Sequence, residues 1–418
     1  MLHRNKRRIA MLYSLLDISR SVLAPANIIA KQLETILATS QSTAPASKPV
    51  RQVMAAASMI ERATRQYGKP DWRIHETVVA GRSYQVEPVT MRRSDWCQLI
   101  NFRLSEDLPD RPKLLITAPL SGHFATLLRD TVEAFLPSHD VYITDWADAK
   151  MQPGSVGQFG LDDYIDEVTQ SLQHIGAGGH VLAVCQPGPA VLAAIAMLAE
   201  DNDPALPTSM TFMGSPIDTR QSPTLPNLLA QNNSLDWFRK NMVYAVPAQW
   251  PGAGRRVFPG FIQISSFMQM NWTRHVDAHL NFFAQLVDQD ETNAEAHRSF
   301  YDEYFSVLDM TEEFYLQTVE RVFQEHHLPL GRFRYRGTRL IDLEAIETVG
   351  LMTVEGEHDD ISGRGQTSAA HQLCPGIPDD MRCEYVQSNV GHFGLFHGAR
   401  FNDHIAPKIK AFQTKIAS

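Results

Sequence analysis

The chain has 418 residues, of which 44% are hydrophobic and 20% charged, and its formal net charge is −9. That length suits one large domain with an insertion, or two domains, and the balance is that of an ordinary globular protein. The acidic charge and the absence of a dense basic stripe after residue 10 argue against nucleic acid as the main partner, and no apolar stretch reaches membrane-spanning length.

The opening MLHRNKRRIAMLYSLLDISR has a basic start and then an apolar run from Ile9 to Leu16, as a secretory signal does. Asp17 and Arg20 cut that run short. Leu12, Leu15, Leu16, Val22 and Leu23 recur at helical spacing, so an amphipathic helix is the better reading. Met11 is an alternative start. Residues 37–50, LATSQSTAPASKPV, read as a linker, and residues 51–68 as a helix.

From about residue 75 strands and helices alternate. KLLIT (Lys113–Thr117), VYITD (Val141–Asp145), HVLAV (His180–Val184), MTFM (Met210–Met213), LMTVE (Leu351–Glu355) and RCEYVQ (Arg382–Gln387) are short apolar strands. Leu161–Gly176 is an amphipathic helix, with Tyr164, Ile165, Val168, Leu172 and Ile175 on one face. Pro187–Glu200 is apolar nearly all round, which marks a buried helix. Such strands separated by helices predict an α/β fold with a mostly parallel sheet covered on both faces. The block from 221 to 340 breaks this rhythm. It is rich in Phe, Met, Trp and Tyr, and Thr311–His326 reads as a helix capped by Thr311. The expected organisation is an N-terminal helical segment and linker (1–74), a core made of 75–220 and 341–418, and a mainly helical cap (221–340).

The stretch GGHVLAVCQPGPAVLAAIAML raises the question of chemistry. A strand ending at Val184, a sharp turn and a helix from Pro187 put Cys185 where an α/β-hydrolase holds its nucleophile. Pro187 suits the first turn of a helix, where a missing N–H costs nothing. A plain core cysteine is the competing reading. The four cysteines, Cys97, Cys185, Cys374 and Cys383, fit free thiols in a reducing compartment better than disulfides, and Cys374 and Cys383 suit the core.

The order of the later motifs favours catalysis. After LMTVE comes GEHDDIS, with Asp359 and Asp360. After RCEYVQ comes SNVGHFGLF, with His392. Nucleophile, acid and histidine then fall at strand ends in the order such enzymes use. His392 would take the proton from Cys185, and the carboxylate would fix the imidazole. Asp359 is favoured over its neighbour, with Asp218 a further candidate acid. His397 competes weakly with His392, and His123 either lines the site or shapes its loop. Oxyanion donors are expected from the backbone of Gln186 and from the loop after KLLIT, at Leu120 or Ser121. No metal-ligand spacing is evident around His326, His327, His358 or His371, and the chemistry calls for no metal or other cofactor.

With these residues in view, the chain resembles the intracellular polyhydroxyalkanoate depolymerases of the poly(3-hydroxybutyrate) type. The resemblance rests on MLYSLLDISRSVLAP, ITAPLSGHFATLLRDTVEAF, VYITDWADA, VLAVCQPGPAVLAA, FMGSPID, LMTVEGEHDDISGRGQTSAAHQLC and VGHFGLFHGARF. It places the family's nucleophile on Cys185, its acid on Asp359 and its histidine on His392. It implies an α/β-hydrolase that cleaves esters of stored polyester granules, in the cytoplasm and at the granule surface. A cysteine nucleophile implies a thioester acyl-enzyme, which leaves coenzyme A open as an acyl acceptor beside water. Rival readings are a polyester synthase, against which the VCQP box speaks, a granule-binding protein without turnover, and an esterase for small substrates. Monomer and homodimer are both open.

Overall fold

The computed structural model describes residues 27–32, 47–108, 110–270 and 272–418. The amphipathic segment read at residues 12–23 and the alternative start at Met11 lie outside the described residues, as do residues 37–46 of the linker. Its last residues instead begin helix α1 (Lys48–Thr64).

The chain first lays down three antiparallel strands, β1 (Glu76–Val79), β2 (Arg82–Arg93) and β3 (Cys97–Leu104). Ala80 and Gly81 connect β1 to β2 with φ of 50° and 82°. Two successive positive φ angles match the twist of a two-residue hairpin. The sheet then continues through β4 (Lys113–Thr117), β5 (Asp140–Trp146), β6 (His180–Val184) and β7 (Ser209–Met213).

Short strands β8 (Tyr244–Ala245), β9 (Arg256–Phe258) and β10 (Met310–Thr311) form a separate antiparallel sheet, and β11 (Arg334–Tyr335) pairs with β12 (Arg339–Leu340). The main sheet resumes with β13 (Gly350–Gly356) and β14 (Arg382–Gln387). Among the described residues its order is β1-β2-β3-β5-β4-β6-β7-β13-β14. Pairing is parallel from β5 across to β14.

Every residue of β6, β7 and β13 is buried. Since side chains alternate between faces along a strand, both faces must be covered. Helices do this in groups: α2 (Arg129–Phe135) meets α11 (Ala406–Ala417), and α3 (Leu161–Ile175) packs on α4 (Gly188–Glu200). In α4 every residue from Gly188 to Leu198 is buried, as its all-round apolarity requires. The architecture is the α/β-hydrolase fold.

Between β7 and β13 the chain forms α5 (Leu225–Asn232), α6 (Leu235–Asn241), α7 (Gly260–Met270), α8 (Trp272–Asp288), α9 (Glu291–Phe305) and α10 (Glu312–Thr318). The Thr311 side chain accepts from Phe314 N, and a π-helical turn extends α10 through Gln324. Many aromatics of this block pack inward: Phe238, Phe282, Tyr301, Tyr304 and Phe314 are buried, and Phe258 stacks on Tyr315 at 4.0 Å. No described helix is long and apolar enough to cross a membrane.

Candidate active site

Strand β6 ends at Val184, and Cys185 turns the chain with φ 67°. A residue with a side chain in that region costs on the order of 1–3 kcal/mol, so the surrounding structure must impose it. It does so from two sides: Cys185 N–H donates to Met213 O at 2.8 Å, and Val191 N–H closes the first helical turn onto Pro187 O at 2.9 Å. Helix α4 begins at Gly188, one residue later than expected, with Pro187 as its N-cap at φ −63°. A Cβ on Gly188 would come within 2.5 Å of the Ser215 side chain. The position that must stay small is therefore Gly188, not the preceding proline.

Two loops meet this elbow. Gly356 ends β13, and Asp359 follows it, buried. Asp359 Oδ1 accepts from the main-chain N–H of Ile361 at 2.9 Å and of Ser362 at 2.8 Å. Its Oδ2 faces His392 Nδ1 at 2.8 Å. These bonds fix the carboxylate in orientation and leave the other imidazole nitrogen for the sulfur. His392, 5% exposed, stands just beyond β14 within hydrogen-bonding reach of Cys185. Burial alone would make its ring harder to protonate. The charge of Asp359, then that of Cys185, and the hydrogen bonds to both outweigh burial and hold His392 well above the ordinary histidine range. Cys185 itself is only partly buried, unlike Cys97 and Cys374.

The loop after β4 runs beside the elbow and is held almost residue by residue. Ala118 N–H donates to Thr144 Oγ1 at 2.9 Å, and its carbonyl accepts from Trp146 Nε1 and Tyr164 Oη. Leu120 N–H donates to Gln186 Oε1 at 3.1 Å. Gly122 O accepts from Leu308 N at 2.7 Å. His123 is buried, its Nε2 lies 3.2 Å from Tyr304 O, and its ring meets Phe393 edge-on. Burial pushes its protonation down to about 4. His123 thus ties this loop to helix α9. Leu120 N–H, one of the loop amides expected as an oxyanion donor, is thus engaged by the Gln186 side chain, while Ser121 N–H meets no main-chain acceptor among the described residues.

The other candidates are committed elsewhere. Asp218 is gripped by Arg220, whose Nε reaches Oδ1 and whose terminal nitrogen reaches Oδ2, both at 2.8 Å. Asp360 is exposed. His397 pairs with Asp130 at 2.8 Å. Cys97 and Cys374 are buried, burial pushing the Cys374 thiol up to about 12, and the described cysteines are all free thiols. Among the described residues no group of three or more histidines, cysteines or acids is placed to hold a metal ion.

One residue of the site is not evident in the sequence pattern. Gly214, at the end of β7, has φ 53°, and a Cβ there would sit 3.0 Å from His392 Cε1 and 3.1 Å from Asp359 Oδ2. The signal that could have found it lies in FMGSP, a glycine at the end of a buried strand.

Residues 214–417 match a family model described as "PHB de-polymerase C-terminus". That span contains Asp359 and His392 and begins after Cys185. No curated protein sequence matches the chain. Among solved structures it is similar to an esterase from Thermogutta terrifontis (11% identity, TM-score 0.40, covering 80% of this chain and 100% of that one). It is also similar to a monoacylglycerol lipase from Paleococcus ferrophilus (10%, 0.41, 73% and 96%). A third is 2-hydroxy-6-oxo-6-phenylhexa-2,4-dienoate hydrolase from Rhodococcus sp. strain RHA1 (13%, 0.40, 78% and 99%). With TM-scores this low, the fold assignment rests on the strand order and the elbow.

Proposed function

We propose that the chain, whose residues 214–417 match the PHB depolymerase family model, is a carboxylic ester hydrolase that cleaves poly(3-hydroxybutyrate)-type polyester with Cys185 as nucleophile, His392 as base and acid, and Asp359 as the group that orients it. The observation that carries this reading is the run of contacts from Asp359 through the His392 ring to a partly buried cysteine on a strained elbow.

In the first half-reaction Sγ adds to the ester carbonyl carbon. The oxyanion is stabilised by main-chain N–H groups beside the elbow. Collapse breaks the C–O bond, the leaving alkoxide takes the proton from His392, and a thioester to Cys185 remains. In the second, His392 takes a proton from water, the hydroxide adds, and the acid leaves as the sulfur is released. A coenzyme A thiol could enter at the same point, since one thioester exchanges for another at little cost in energy. Residues 221–340 act as a cap over the core. On α8, Trp272, Val276 and Leu280 are 61%, 37% and 63% exposed at four-residue spacing, an apolar face that suits a water-insoluble granule surface.

The test is release of 3-hydroxybutyrate from amorphous granules by the wild-type chain and by Cys185→Ala. Release abolished in the variant supports the reading. Equal release by both contradicts it.

A further inference from the structure

We propose that the Gln186 side chain is a positioning residue for the oxyanion site: its carboxamide pins Leu120 so that Ser121 N–H, and not Leu120 N–H, is the second donor beside Gln186 N–H. The inference rests on the proposed cysteine mechanism and deepens it.

The main-chain groups along the loop after β4 can be accounted for one by one. A buried amide must find an acceptor or be left for a ligand. Ala118 N–H goes to Thr144, Pro119 has none to give, and Leu120 N–H goes to Gln186 Oε1. On the far side, Gly122 O is held by Leu308 N, and His123 bridges to Val307. Gly122 has φ 107°, and the Gln263 carboxamide lies within 2.6 Å of where its Cβ would be, so this residue cannot shift toward the cap. Ser121 is therefore clamped between two fixed neighbours, and its N–H meets no main-chain acceptor among the described residues. The same is true of Gln186 N–H, which follows the nucleophile directly. Gly122 N–H is also without a main-chain acceptor among the described residues, but Ser121 N–H and Gln186 N–H belong to the residues that adjoin or form the Gln186–Leu120 bond, and two such amides are what a developing oxyanion requires.

The bond also explains why a polar residue follows the nucleophile. An apolar side chain there would leave the nearly buried Leu120 N–H without an acceptor, at a cost in local order. A carboxylate could accept the same bond, but would set a negative charge beside the oxyanion.

Three variants and two readouts test this. Gln186→Ala and Gln186→Met should lower kcat on a soluble p-nitrophenyl ester about 10- to 100-fold with little change in KM. Gln186→Glu should keep the thermal midpoint of the wild type and lose a similar factor at neutral pH, recovering part of it as the medium is acidified. Alkylation of Cys185 by iodoacetamide forms no oxyanion, so its rate should stay within about twofold of wild type in the two uncharged variants, Gln186→Ala and Gln186→Met. Unchanged kcat in Gln186→Ala overturns the proposal. So does a parallel fall in alkylation and turnover, since that would make Gln186 a support of the elbow itself. Failure of the underlying mechanism shows up separately, as Cys185→Ala retaining turnover.

Discussion

Cys185 and Gly214 face each other across the ends of β6 and β7, and both have positive φ. The cysteine carries this in spite of its side chain; the glycine is free to adopt it and also leaves room for the His392–Asp359 pair. Gly214→Ala would therefore press on Cε1 of His392 and Oδ2 of Asp359 while straining its own backbone. The expected result is a loss of at least about tenfold in kcat, larger than any change in KM, because the imidazole leaves its productive position. Activity equal to wild type would mean that the pair tolerates displacement. Cysteine, aspartate and histidine are legible in the sequence as candidates because each follows an apolar strand in a fixed order. Gly214 and the Gln186–Leu120 bond are not, since both depend on which chain segments approach each other in three dimensions.

The elements divide by how strongly burial marks them. Strands β4 and β6 and helix α4 are legible to within a residue because segments buried on all sides appear as unbroken apolar runs, α3 because its apolar residues recur at helical spacing, and β14 at its observed limits although most of it is only partly buried. Strands β1 to β3 are not individually legible. The sequence of β2, RSYQVEPVTMRR, is mostly exposed, and its charges dilute the alternation. The short strands β8 to β12 fall within a block whose apolar residues suggest only helix. The same block holds the exposed face of α8. Trp272→Ser with Leu280→Ser should lower the rate on amorphous granules severalfold and leave the rate on a soluble ester unchanged, because it removes apolar contact area and touches no residue of the elbow. Equal losses on both substrates would assign that face to the cap's own packing.

For the whole molecule, the buried histidines set the response to acid. His123, His180, His297 and His371 are held neutral by burial, their protonation pushed down to about 4, and that of His139 to about 3. In the unfolded chain each takes up a proton near about 6.5. Between those limits unfolding binds protons, so the stability these rings contribute is full above about pH 6.5 and falls as the pH drops toward 4. The midpoint of thermal unfolding should decline steadily across that window. A midpoint independent of pH there would show that these rings are accessible to protons in the folded state.

Catalysis as proposed depends on a covalent intermediate at one sulfur. Rapid acid quench during turnover of a soluble 3-hydroxybutyrate ester, followed by mass spectrometry of the peptides, tests it directly. The prediction is one hydroxybutyryl group on the peptide carrying Cys185, removed by neutral hydroxylamine and absent from Cys185→Ala. An acyl group on a serine instead, or full turnover with no acyl peptide in a burst-competent preparation, would contradict it.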